Sequence, residues 1–113
     1  MIQIYHNPRC GKSRSGIELL EKSGKPFEVI KYLENPLSVK ELQSILKKLK
    51  IEPIALVRKN EIIWKENFKD KPLSDAEIIQ AMADFPILIE RPIVINGNQA
   101  VIGRPEENIA TII

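Results

Sequence analysis

The chain lacks a second thiol. Its 113 residues include one cysteine and one histidine, so no internal disulfide can form and the paired Cys or His spacings of a metal site are absent. No apolar run approaches the roughly 20 residues that span a bilayer, and no basic stretch followed by an apolar one opens the sequence. A dominant charge is missing as well: 17 Lys and Arg against 15 Asp and Glu leave a formal net charge of +2. That is too little to point to nucleic acid, although it favours small anions slightly. Repeats and low-complexity segments are absent, and the length suits a single domain over residues 1–113. A cytoplasmic, reducing setting with no membrane or nucleic-acid partner is the default expectation. Any redox chemistry must then borrow its second thiol from another molecule.

What is there begins with Cys10, in His6-Asn7-Pro8-Arg9-Cys10-Gly11-Lys12-Ser13-Arg14. Ile2-Gln3-Ile4-Tyr5 reads as a strand, and Lys12 to Lys22 carries Ile17, Leu19 and Leu20 at helical spacing. The thiol therefore falls just before a helix N-terminus, where backbone N–H groups and the helix dipole stabilise a thiolate. Arg9, Lys12 and Arg14 add positive charge, enough to make a thiol with a pKa of roughly 8.5 largely ionised near neutrality. The plainer alternative is a small core hydrophobe, the usual role of a lone cysteine.

Further elements follow from local signals. Gly24-Lys25-Pro26 breaks the chain, and Phe27 to Tyr32 alternates as a second strand, giving a β-α-β unit with a parallel pair. Ser38 with Glu41 forms a capping-box pattern ahead of a helix over Val39 to Leu49, and Ser74 with Glu77 does the same for Asp75 to Ala83. Pro53 to Lys59 reads as a short helix, and Trp64 to Pro72 as irregular or weakly helical. Ile93-Val94-Ile95 and Ala100-Val101-Ile102 flank Asn96-Gly97-Asn98-Gln99, a hairpin signal. Pro105-Glu106-Glu107 then starts a terminal helix, with proline at its first position. The order predicts an α/β fold: a small mixed sheet with helices on its faces and a helical insertion at about 38–85.

The hairpin places two arginines together. A loop centred on Gly97-Asn98 pairs residues whose numbers sum to 195, a sum that Arg91 and Arg104 also give. Like charges facing each other across a ladder are destabilising, and an anion between them would remove the penalty. Arginine suits that task because its planar fork stays charged and donates two hydrogen bonds to an oxyanion. Surface partners such as Glu90 and Glu106 are the alternative. Arg58 is a third candidate, for which a solvated helix face is the plainer reading.

Neighbouring motifs narrow the chemistry. Gly11-Lys12-Ser13 resembles the tail of a phosphate-binding loop, but His6 stands where that loop needs glycine. A cysteine-phosphatase loop would need arginine where Gly16 stands. Ser13 replaces the second cysteine of a Cys-x-x-Cys pair, leaving a monothiol arrangement in which its hydroxyl is able to bond a thiolate. His6 lies on the same loop, either in contact with Cys10 as base or counter-charge, or bonded to backbone.

Taken in order, Ile4-Tyr5-His6-Asn7-Pro8-Arg9-Cys10, Tyr32-Leu33-Glu34-Asn35-Pro36, Arg58-Lys59-Asn60, Glu90-Arg91-Pro92-Ile93-Val94 and Gly103-Arg104-Pro105 resemble the glutaredoxin-coupled arsenate reductase family in its short form. The resemblance covers essentially the whole chain. It implies a thioredoxin-like fold with a mixed four-stranded sheet, flanking helices and a helical insertion. It also implies a cis Arg91-Pro92 bond facing the nucleophile, a catalytic Cys10, and oxyanion binding by Arg58, Arg91 and Arg104, with His6, Ser13 and Pro92 in support. The implied substrate is arsenate, with glutathione as co-substrate, glutaredoxin as partner and no tightly bound cofactor or metal. A general glutathione-dependent thiol reductase, suggested by Cys10-Gly11-Lys12-Ser13, is an alternative. A further one is the related branch of Spx-like regulators that bind RNA polymerase, against which Ser13 and the three arginines weigh.

Overall fold

A computed structural model describes all residues, 1–113, and the chain divides into two compact units, Met1–Asn35 with Arg91–Ile113, and Pro36–Glu90. The first unit carries a four-stranded sheet in the order β2-β1-β3-β4, built from β1 (Ile2–Tyr5), β2 (Phe27–Ile30), β3 (Ile93–Asn96) and β4 (Gln99–Ile102). Strand β1 runs parallel to β2 and antiparallel to β3, and β3 runs antiparallel to β4. The two central strands are the apolar ones, because a strand paired on both edges and covered on its faces has little access to water. Ile2 and Ile4 of β1, Val94 of β3, Leu20 of helix α1 (Gly11–Ser23) and Ile109 form one buried cluster. This is the mixed α/β sheet that the element order predicts, in the thioredoxin-like form that the family resemblance implies.

The hairpin register is the expected one. Ile93 pairs with Ile102, Val94 with Val101, Ile95 with Ala100 and Asn96 with Gln99, and Gly97 has φ 63°, where a missing Cβ removes the steric cost. The Gly103 N–H donates to the Pro92 carbonyl at 2.8 Å, extending the same register one pair outward. Both Arg91-Pro92 and Arg104-Pro105 are cis. The first is the bond implied by the family resemblance, and the second has no counterpart in the sequence reading. The end of the chain differs from expectation in type: Glu106–Thr111 is a 3-10 helix preceded by Pro105 at ψ 163°. Extended backbone at Pro105 moves the helix start one residue on, and bonds such as Asn108 N–H to Pro105 O keep it tight.

Close packing fixes Pro92. A Cβ added to Gly103 would lie 2.9 Å from Pro92 Cγ and 3.0 Å from Ile109 Cδ1, and one on Gly16 would lie 3.1 Å from the same Pro92 atom. Gly103→Ala is therefore expected to destabilise the protein by about 1–3 kcal/mol through overpacking, read as a lower urea midpoint. Gly16→Ala, where helix propensity offsets part of the crowding by roughly 1 kcal/mol, should cost less.

The second unit is helical: α2 (Val39–Leu49), α3 (Ile62–Asn67) and α4 (Asp75–Asp84). Both capping boxes form, with the Ser38 and Ser74 hydroxyls accepting from the Glu41 and Glu77 N–H groups, and each glutamate carboxylate accepting from its serine N–H. Helix α2 has the predicted limits. The expected helix at Pro53 to Lys59 shortens to a 3-10 turn, Pro53–Leu56, because Val57 enters an antiparallel bridge with Ile89. Helix α3 begins earlier than the weakly helical stretch expected from Trp64, and turns the Trp64 ring inward to stack on Phe68. No helix of the chain is long and apolar enough to cross a membrane.

Candidate functional site

Cys10 is the N-cap of α1 and is partly exposed. The loop that presents it is built by Asn7, a residue that sequence reasoning passed over. Asn7 is 3% exposed; its side-chain oxygen accepts from Arg9 N–H at 3.0 Å and its carbonyl accepts from Cys10 N–H at 3.0 Å. The signal was present in the Asn-Pro dipeptide, since asparagine bonding two residues on is a recurrent turn device. Arg14 closes the other side, its Nη1 donating to Pro8 O at 3.0 Å.

Beneath this loop, the Ser13 hydroxyl lies 2.7 Å from His6 Nδ1 and accepts from Asn7 N–H at 3.0 Å. Both His6 and Ser13 are buried. The bond His6 makes is thus to Ser13, and the contribution of Ser13 to the sulfur comes through its backbone N–H rather than its hydroxyl. Burial, with Lys31 and Arg14 adding positive charge nearby, holds the His6 pKa below its ordinary 6.5. Lowering the pKa of a base disfavours its protonation in the folded state, so the protein is expected to be fully stabilised above pH 6.5 and to lose stability as the pH falls below that value. Thermal melts between pH 7.5 and 5 check this; a slope retained unchanged in His6→Ala would assign the effect elsewhere.

Burial alone would push the Cys10 thiol upward, yet its pKa lies below the ordinary 9.0 because three groups together outweigh it. The Ser13 N–H bonds the sulfur, the Arg91 guanidinium supplies both a hydrogen bond and charge, and the Lys12 N–H adds another bond. Arg104 joins them, its Nη2 donating to Cys10 Sγ at 3.3 Å. The cations that reach the sulfur are therefore those brought by the hairpin, whereas the neighbouring Lys12 acts through its backbone. The two arginines do not simply oppose each other across the ladder. Arg104 Nε donates to the Arg91 carbonyl at 2.8 Å, so its side chain is clamped to the backbone of its register partner and directed onto the sulfur. Arg91 itself is buried, at 8% exposure, beside the cis bond to buried Pro92.

Arg58 belongs to the second unit. Its Nη1 donates to Glu90 at 2.7 Å and its Nε to Glu61 at 3.2 Å, while its N–H donates to Leu88 O at 2.7 Å. Glu90, offered by the sequence as a surface partner for the hairpin arginines, thus pairs with Arg58. Although burial disfavours the charge, the two carboxylates more than offset it and hold the guanidinium protonated. No group of three or more His, Cys, Asp or Glu is arranged to hold a metal.

A thiolate held by two arginines can attack an electrophile that arrives as an anion, because the charge that would repel the pair is already neutralised. Comparison with known proteins identifies the family. The model of the ArsC family matches residues 5–112. An arsenate reductase of Neisseria meningitidis serogroup A is 42% identical over 99% of this chain and 97% of its own. One from Haemophilus influenzae is 46% identical over 97% of each. The solved structure of the arsenate reductase from Vibrio cholerae superposes with a TM-score of 0.95 at 46% identity, covering 99% of this chain and 97% of that one. The chain belongs to the ArsC family.

Proposed function

We propose that this protein is an arsenate reductase that uses Cys10 as its nucleophile and external thiols as its reductant. The observation that carries the reading is Cys10 Sγ under the Arg104 guanidinium, 3.3 Å away, with the Arg91 guanidinium lowering the pKa of the same thiol. Arsenate docks as an oxyanion against Arg91 and Arg104. The family resemblance alone assigns Arg58, whose fork is oriented by Glu61 and Glu90, a third oxyanion-binding role. His6 and Ser13 are positioning residues that hold the Cys10 loop, and Pro92 is the packed wall that sets the backbone of Arg91.

The chemistry balances with two thiols besides Cys10. The Cys10 thiolate donates its electron pair to As(V), an As–S bond forms and an arsenate oxygen leaves as water. Glutathione condenses at the same arsenic with loss of a second water. A glutaredoxin thiolate then attacks the glutathione sulfur; the new S–S bond forms as the S–As bond breaks, and that pair stays on arsenic, giving As(III). Water displaces Cys10 and releases arsenite. One arsenate and two thiols become one arsenite, one disulfide and one net water. Thiols carry both electrons, so the reaction needs no metal and no tightly bound cofactor.

The test is arsenic speciation after incubation of the protein with arsenate, glutathione and glutaredoxin. Arsenite should accumulate catalytically and should depend on both thiol components. Unreacted arsenate beside a folded protein would overturn the reading.

A further inference from the structure

The helical unit holds a cavity of its own, lined by residues that the chemistry at Cys10 does not use. Its volume is about 430 Å³, within the range of about 300–1,000 Å³ typical of small-molecule sites. Trp64, the single tryptophan of the chain, sets it apart from an ordinary surface depression. The residue is 7% exposed, and its ring stacks on Phe68 with centroids 5.4 Å apart. A buried indole N–H usually finds a hydrogen-bond partner. This one donates to no group of the chain, and it is not among the polar atoms closed off from the exterior. On a side chain so deeply buried, the opening that remains is the cavity it lines, so the indole donor faces into that space.

The charges around this donor have one dominant sign. Lys59, Lys65 and Lys69 share the lining with a single acid, Asp70. None of the four takes part in an ion pair, since both ion pairs of the molecule belong to Arg58. The backbone brings the last two back after α3: Lys69 N–H donates to the Trp64 carbonyl at 3.0 Å, and Asp70 adopts φ 63°. Three cations and one acid leave a surplus of about two positive charges, which matches a compact dianion. A phosphate monoester carries about two negative charges near neutrality and presents three strong acceptor oxygens, enough for the indole and the ammonium groups together. Ile54, also in the lining, offers an apolar wall for the organic group.

We propose that this cavity binds a small phosphate monoester, its phosphoryl oxygens accepting from the Trp64 indole and from Lys59, Lys65 and Lys69, with the organic group against Ile54. All of these residues lie within Pro36–Glu90. The site shares no residue with Cys10 and the hairpin arginines, and the inference stands independently of the arsenate reading.

The experiment follows the indole N–H resonance of the full, isotopically labelled chain, unique because the chain has one tryptophan, during titration with n-butyl phosphate. The resonance should move downfield and saturate as the donor gains a charged acceptor. n-Butanol should leave it in place, and inorganic phosphate should bind several-fold more weakly because it leaves Ile54 uncovered. Lys59→Gln, Lys65→Gln and Lys69→Gln should each weaken binding by up to about fivefold, the scale of an exposed ion pair. Asp70→Asn, which keeps a residue tolerant of positive φ, should tighten it by up to about fivefold on the same scale. Arg91→Lys should leave the titration unchanged. A stationary indole resonance, a matching response to n-butanol, or an affinity for inorganic phosphate equal to that for the ester would each overturn the proposal. So would an affinity that the lysine and Asp70 variants leave unaltered, or loss of the shift in Arg91→Lys, which would place the anion at the hairpin arginines instead.

Discussion

Cys10→Ser is expected to abolish arsenite formation, with a loss on the order of 10^6-fold, the scale reached when an essential nucleophile is removed. A hydroxyl in that position stays protonated where the thiol's pKa is held below its ordinary value, and no second thiol exists in the chain to replace it. The substitution leaves a clean readout, because Cys10 makes no side-chain cap for α1 and serine is among the preferred N-cap residues, adding up to about 1 kcal/mol to the helix start. Circular dichroism should therefore show an unchanged or slightly more stable fold. Retained turnover in this variant would remove Cys10 from the mechanism.

The second large effect concerns Arg91. Arg91→Lys keeps the charge and loses the fork, so the hydrogen bond to the sulfur and the bidentate grip on an oxyanion go together. Hydrogen bonds to charged groups contribute about 1.5–3 kcal/mol, which predicts a fall of roughly 10- to 100-fold in kcat/KM for arsenate. The same variant should move the pH midpoint of Cys10 alkylation by iodoacetamide upward, toward or past the ordinary thiol value of 9.0. Arg104→Lys separates the two roles of its side chain. It loses the Nε bond to the Arg91 carbonyl while keeping a cation near the sulfur, so arsenate use should suffer more than thiol ionisation. Unchanged alkylation midpoints in the Arg91 variant would mean that the Arg91 hydrogen bond does not contribute to setting the thiolate.

Local chemistry made much of this molecule legible before any coordinate. Ser38 with Glu41 and Ser74 with Glu77 announce helix starts because the partners lie three residues apart, and Asn96 to Gln99 announces a hairpin because its turn tolerates only certain backbones. The 195 sum extends that local signal outward to Pro92 and Gly103, and it brought Arg91 and Arg104 to one end of the sheet. What it could not supply was direction: Arg104 reaches a sulfur 94 positions away and a backbone carbonyl rather than an opposing guanidinium. The pairing of Arg58 with Glu90 was equally hidden, since 32 residues separate them and nothing in Leu56 to Asn60 distinguishes a clamped arginine from a solvated one. Ser13 shows the same limit in miniature, its residue type suggesting a hydroxyl donor where the fold uses the backbone N–H.

The central claim is that Cys10, set by the hairpin arginines, passes electrons from external thiols to arsenate. It is tested most directly by arsenate-dependent NADPH oxidation in the presence of glutathione, glutathione reductase and glutaredoxin, with each component omitted in turn. The account predicts oxidation that requires arsenate, glutathione, glutaredoxin and an intact Cys10, and that stops when any one is withheld. NADPH oxidation supported by a glutathione mixed disulfide and unaffected by arsenate would contradict it.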